Sequence, residues 1–242
     1  TIISSVILGI LVFFAFIGLI NYYFRPLIFK TTENVGYSGT YTIQTLPKEI
    51  LSEISFGLTQ IDSKGQVKSA AADSWTIKND RVYTFKIKPG IKFHNGQELT
   101  SKNINLNFSD VSVSSVDKYT ISYTLKNPYS PFLTSVANPI FGKNLAGIGK
   151  MRVEDIDLNG GFVRTITLSD TTTKNKKKKI YFYPTQKALK VAFMLGEVSK
   201  AYGVNDTRAD NTDLSKWKKV KTENSVNYKS LVAAFYNSND SQ

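Results

Sequence analysis

Apolar and small residues fill the start of the chain almost without a break, and Ile2 to Ile20 contains no charged side chain. At about 1.5 Å per residue such a run reaches across a hydrocarbon layer of about 30 Å, which predicts one transmembrane helix over residues 1–23. A cleaved secretory leader keeps an apolar core of only about 7 to 15 residues and ends in small side chains. Here Tyr22, Tyr23 and Phe24 follow instead, the aromatic types that gather at a membrane–water interface. Beyond a linker at 24–35 the pattern shortens to alternating segments, and residues 37–45, 75–87, 119–125 and 230–236 read as strands. Asn79-Asp80, Pro89-Gly90 and Asn95-Gly96 punctuate the middle of the chain as turn dipeptides. Helical spacing marks residues 48–55, 131–137 and 185–195. The last carries the stripe Ala188, Leu189, Val191, Ala192, Leu195 and stops at Gly196. Thr100 or Ser101 is placed to cap a further short helix near Lys102. The interleaving predicts a mixed α/β (α+β) globular part with no internal repeat.

Several segments form an ordered series. Phe56-Gly57-Leu58-Thr59, Asp62 and Gly65-Gln66-Val67 lead to Ala71-Ala72-Asp73-Ser74-Trp75; then come Tyr83-Thr84-Phe85, Phe93-His94-Asn95-Gly96 and Leu99-Thr100. Asp117-Lys118-Tyr119-Thr120 and Asn127-Pro128-Tyr129-Ser130-Pro131-Phe132 follow, then Gly147-Ile148-Gly149 and Gly196-Glu197-Val198. In this order they resemble family 5 of the solute-binding proteins of ABC importers, the peptide, dipeptide and nickel class, over roughly residues 38–240. The first half of the likeness is specific and the second looser.

The resemblance implies a periplasmic-binding-protein type II-like fold, partial in this chain. It implies a discontinuous first lobe from residues 36–58 and 143–242, and an inserted small domain at 59–142 in which Trp75 is buried. Family ligands lie between the first lobe and a further domain encoded later, so half of the implied cleft is outside these residues. By position, the ligand-binding residues carried over are Thr45, Leu46, Tyr202, Gly203, Val204, Phe235, Tyr236 and Asn237, each with packing as the alternative role. Two family loops are shortened here: one between Phe108 and Asp117, one at Thr45-Leu46-Pro47. The implied activity is capture of an oligopeptide or other small solute for ABC permease subunits by an extracytoplasmic protein tethered to the cell membrane, with no enzymatic activity and no cofactor. A membrane-anchored structural or interaction module that keeps the fold without solute capture is the alternative.

Composition changes this picture little. With 41% hydrophobic and 12% aromatic residues in 242, the content is that of a globular protein once the first stretch is set aside. The formal net charge of +12 raises the question of nucleic acid. Lysine supplies nearly all of it, whereas phosphate and base recognition favours the arginine fork, so no nucleic-acid partner is expected. The densest run, Lys176 to Lys179, reads as a hairpin loop with a solvated charged edge. Arg25 and Lys30 flank the apolar run on its C-terminal side, which by the positive-inside rule alone would place the globular part in the cytoplasm; the family resemblance implies the opposite. Absence of cysteine excludes disulfides, thiolate metal sites and a lipidated cysteine. His94 is the sole histidine and sits in a turn, which argues against a Ser-His-Asp triad and for a structural role. Glu154, Asp155 and Asp157 lack metal-loop spacing and read as solvated.

Overall fold

The computed structural model describes residues 10, 12–19, 31–173, 175–206, 208–209, 212–216 and 220–221. Residues 1–204 and 205–242 form two compact units. In the second, β12 (Arg208–Ala209) pairs antiparallel with β13 (Thr212–Asp213).

The first unit is organised by two sheets. In the five-stranded sheet β1 (Thr31–Ser38) and β11 (Lys200–Tyr202) run parallel beside β10 (Lys176–Tyr183). β9 (Phe162–Asp170) and β8 (Met151–Asn159) complete it as an antiparallel hairpin, giving the order β11-β1-β10-β9-β8. Helix α1 (Lys48–Ile54) lays Ile50 and Ile54 on Ile166, Leu168 and Ile180. Helix α3 (Gln186–Met194) sets Leu189 and Ala192 beside Tyr181 and Tyr183. Thr185 caps α3 by accepting from the Ala188 amide at 3.2 Å, and Gly196, at φ +75°, ends it. Gly36 makes the approach of α3 possible, since a Cβ there would stand 2.3 Å from Leu189 Cδ1.

The four-stranded sheet orders β4 (Ala72–Lys78), β5 (Val82–Ile87), β7 (Thr120–Leu125) and β6 (Val111–Asp117), all antiparallel. Asn79 and Asp80, at φ 53° and 49°, make the tight turn between β4 and β5 in the left-handed region that hairpin twist demands. Alternation buries Tyr83, Phe85, Ile87, Ile121, Tyr123 and Leu125 on one face, against α2 (Phe132–Ser135). A small hairpin of β2 (Thr59–Ile61) and β3 (Val67–Ser69) lies before it in the chain.

The loop Gly147–Gly149 ties the two cores together. The Gly149 amide donates to Ile54 O at 2.8 Å at the end of α1, and His94 binds the same loop twice: its amide to Gly147 O and its Nε2 to Gly149 O, each at 2.9 Å. His94 therefore works as a strut, with the ring proton on Nε2 facing a carbonyl.

Several expectations are corrected. The first strand is residues 31–38, not 37–45: its polar start, Thr31 to Asn34, resembles a linker in composition but pairs with β10, and residues 43–45 form a 3-10 turn. Lys176 to Lys179 are not a loop at an edge. They open the central strand of the sheet, with Lys178 paired to Glu53 at 2.6 Å and Lys177 to Glu154; the alkyl stems cover neighbouring surface while the ammonium groups reach carboxylates. Trp75 is half-buried, its ring tilted 6.3 Å from Phe85, whereas Tyr83, Phe85, Tyr123 and Phe132 are fully buried. The helix near Lys102 is a 3-10 turn, Ser101–Asn103, with Thr100 at its N-cap. Asp157 accepts from Arg164 Nε at 2.6 Å, and Glu154 is paired, so two of the three clustered acids are not simply solvated. Residues 12–19 are helical and exposed. Among the described residues no helix is long and apolar enough to cross a membrane; much of the predicted anchor, and the predicted strand 230–236, lie outside them.

Glu98 gives the fold an acid-sensitive joint. Its carboxylate accepts from Tyr119 Oη at 2.6 Å and Lys118 Nζ at 2.9 Å, which hold its pKa down to about 2. A depressed carboxyl stabilises the fold above its unfolded value of about 4.3 and loses that contribution as pH falls towards the folded value. Urea midpoints measured from pH 5 to pH 2 are expected to fall less steeply in Glu98→Gln than in the parent. Parallel curves would count against the joint.

Candidate functional site

In open sheets with parallel strands, ligands meet the carboxyl ends of those strands, and here that end is built from four segments. β1 ends at Ser38, β10 at Tyr183 and β11 at Tyr202, and the 39–47 connection leaves β1 there to enter α1. The register places Tyr202, Tyr37 and Phe182 side by side across three strands. Tyr202 stacks on Tyr37 with ring centroids 4.9 Å apart, and Tyr41 lies 5.2 Å from Phe182. The result is an aromatic row that passes from core to surface, where Tyr202 is 44% exposed. Burial, helped by neighbouring Tyr202 and Glu53, pushes the Tyr37 phenol up. Burial and then Glu197 push Tyr183 up to about 12. Both phenols stay neutral through the physiological range.

Backbone ties fix the loops. Gly39 donates to Tyr183 O at 2.8 Å, Tyr41 Oη donates to Ser38 O at 3.1 Å, and Val163 donates to Tyr41 O at 2.8 Å. The last bond fastens the β8–β9 hairpin, whose tip presents Leu158 and Phe162 half-exposed at the same end of the sheet.

The residues singled out in the sequence fall into three groups. Tyr202 and Gly203 sit on the exposed rim; Gly203, at φ +73°, lies against Ser38. Thr45 is exposed too, but its hydroxyl closes a local turn, accepting from the Thr42 amide at 2.9 Å. Leu46, 4% exposed, packs in the core with Ile50, and Val204 packs on the α3 cluster. Phe235, Tyr236 and Asn237 lie outside the described residues. Sequence reading missed Tyr37, Tyr41, Phe182 and the Leu158/Phe162 tip. Their signal was the Tyr181-Phe182-Tyr183 run, which acquires meaning only once β10 is paired with β1.

At the opposite end an open hollow of about 490 Å³ is lined by Glu33, Glu53, Lys150, Asp170, Lys176 and Lys178 among others. Asp170 is held well below the usual carboxylate range by the Thr172 hydroxyl and amide at 2.7 and 2.8 Å, with the Thr173 amide and Lys150 beyond. It caps its own loop. Among the described residues no group of three or more His, Asp or Glu side chains is arranged to hold a metal ion.

Similar proteins bear out the resemblance seen in the sequence. No family model matches the chain. Glutathione-binding protein GsiB of Escherichia coli K12 is 26% identical over 113 aligned positions, covering 39% of this chain, and that of Pectobacterium atrosepticum is 27% identical with the same coverage. The chain spans about a fifth of these curated relatives, 22%. Among solved structures, MoaA of A. tumefaciens R10 in complex with mannopinic acid superposes with TM-score 0.60 at 20% identity, over 75% of this chain and 46% of that one. The periplasmic binding protein DppA of Helicobacter pylori with the peptide STSA gives TM-score 0.55 at 18% identity, over 69% and 46%. The nickel ABC transporter structure of Bacillus halodurans gives 0.58 at 17%, over 69% and 42%. The fold is the mixed α/β fold of these periplasmic binding proteins, present in part.

Proposed function

We propose that this chain is the N-terminal part of an extracytoplasmic solute-binding component of an ABC importer for peptides or similar solutes, tethered to the cell membrane by residues 1–23 and serving ABC permease subunits. The observation that carries the reading is the aromatic row and fastened loops at the carboxyl ends of β1, β10 and β11, in a fold shared with structures that hold a peptide and mannopinic acid. In this reading residues 36–58 and 143–242 form one lobe, residues 59–142 are an insert, and a second lobe closes over the platform. The exposed Tyr202 ring meets an apolar or planar part of the solute, Gly203 lets its backbone approach, and Thr45 lies on the rim. Leu46 and Val204 support these from beneath, and Phe235, Tyr236 and Asn237 complete the set of ligand-contacting positions carried over from the resemblance.

A cleft gains affinity by enclosing most of its ligand, and one open wall recovers too little to order a flexible peptide. The test is calorimetric titration with short peptides and glutathione, on the chain as given and on the chain extended by whatever its gene encodes after Gln242. The extended protein is expected to bind with micromolar affinity, weakened about tenfold by Tyr202→Ala as a stacking contact is lost. The chain ending at Gln242 is expected to show no useful peptide affinity. Absence of binding by the extended protein sinks the reading, and micromolar binding by the chain as given shows that the cleft is complete within it.

A further inference from the structure

We infer that the open edge of the four-stranded sheet pairs with the same edge of a second copy of this chain, β6 meeting β6 antiparallel about a dyad at Val113 so that the two sheets join into one. β6 is bonded to β7 alone, and among the described residues no strand pairs with its other side. Ser112 to Asp117 are all exposed, with Val113 at 44% and Val116 at 63%. Edge strands ordinarily carry devices against such pairing: charged side chains, bulges or very short length. β8, at one edge of the larger sheet, has Arg152, Glu154, Asp155 and Asp157 together with two bulges, and β11, at the other, is only Lys200–Tyr202. β4 is bulged at its start and carries Asp73 and Lys78. β6 has no charge from Val111 to Val116, and its bulge falls after Ser115.

The phase of the hydrogen bonds sets the register. The Lys126 amide donates to Asp110 O at 3.1 Å, so in the alternation of an antiparallel pair residues 110, 112 and 114 are the ones bonded to β7. Leu125 points the other way, its amide donating to Arg81 O at 2.8 Å. The amides and carbonyls of Val111, Val113 and Ser115 are therefore directed at the open side. With Val113 opposite Val113 of the second copy, Val111 falls opposite Ser115, and every outward residue exchanges both of its bonds. Charges agree with this register: Asp110 comes opposite the uncharged Val116, whereas a slip of one residue sets Asp110 against Asp117 and throws the bonding groups out of phase. Val113 shares a face with the buried Tyr123, so the two apolar faces become continuous across the dyad. Val116 of the second copy arrives beside Asp110, at the open groove lined by Phe108, Val111, Leu125, Tyr129 and Phe132. Each chain offers one such edge, and pairing the same patch on both copies closes the assembly at two.

The chain has no cysteine, so introduced cysteines report the register directly. Opposed residues that exchange both bonds hold their Cα atoms about 5.5 Å apart, inside the disulfide range of about 4.4–6.8 Å. Ser115 and its own copy would stand four residues out of step, about 14 Å along the strand. In the detergent-solubilised full chain, mild oxidation is expected to link Val113→Cys to itself at least about tenfold more than Ser115→Cys, while an equal mixture of Val111→Cys and Ser115→Cys chains links as a heterodimer. Sedimentation equilibrium in density-matched detergent is expected to show twice the chain mass at micromolar concentration. Val113→Lys, which puts a charge on each side of the dyad, is expected to raise the dissociation constant at least about tenfold without changing the circular dichroism spectrum. A monomer throughout, a dimer indifferent to Val113→Lys, equal linking of Val113→Cys and Ser115→Cys, or association beyond two copies overturns the inference. So does a monomer whose β6 amides gain protection from hydrogen exchange only when an extended peptide is added.

Discussion

Phe132→Ala is expected to destabilise the chain by about 3–5 kcal/mol, the range for truncating a buried aromatic side chain. Phe132 is 2% exposed and opens α2. Its ring meets Tyr83 at 4.9 Å, Phe108 at 5.2 Å and Tyr123 at 5.4 Å, in tilted or edge arrangements that add to simple burial. Three of these rings come from β5, β7 and the helix, so removing one leaves a void whose walls are pinned by sheet hydrogen bonds and cannot collapse. Tyr83 is pinned further by the bond its hydroxyl donates to Tyr129 O at 2.9 Å. Trp75→Ala is expected to cost less, because that ring is already half in water. Urea denaturation of the detergent-solubilised chain decides: a loss below about 1 kcal/mol for Phe132→Ala would mean that the ring cluster is not a packed core.

Gly147→Ala is expected to reach or exceed the upper end of the ~1–3 kcal/mol usual for overpacking. A Cβ at Gly147 would lie 2.0 Å from Ile54 O, and the obstacle is backbone at the end of α1 rather than a side chain that can rotate away. Relief requires the loop to lift, which breaks the Gly149 amide bond to the same carbonyl and the two bonds from His94. Gly142→Ala is the control. Its Cβ would meet nothing nearer than 3.5 Å, so a change within ~0.5 kcal/mol is expected. Equal effects at the two positions would sink the prediction.

How much of this was legible in the sequence depended on how locally each feature is determined. The turn at Asn79-Asp80 and the stop of α3 at Gly196 are set by a few adjacent residues, and they were found; Thr185, read as the first residue of the helix, is its cap. Alternation marked strands over 75–87 and 119–125, which the structure places at 72–78, 82–87 and 120–125. Trp75 was misjudged because it lies on β4, an edge strand covered on one side only. The lysine run was misjudged because composition reports solvent preference, whereas strand membership here comes from partners on both sides and from Glu53 and Glu154, distant in sequence. The same limit applied to the site. Tyr202 and Gly203 were reached through resemblance, but the row Tyr202–Tyr37–Phe182 exists only after parallel pairing across long separations. Leu46, placed at the site by position, falls one residue past the exposed 3-10 turn and points into the core.

The parallel pairing of β1 with β10 also sets an order of events in synthesis. Thr31 must wait for Lys176, 145 residues later, and at about 5–20 residues per second that wait is roughly 7–30 s. The meander of β4 to β7 needs only neighbours within its own stretch, and short-range contacts close faster than long-range ones. It is complete before β10 emerges, while β1 stands with both edges open. During that interval β1 is a bare template for any other strand, with the charge of Glu33 as the one edge-blunting feature of its start.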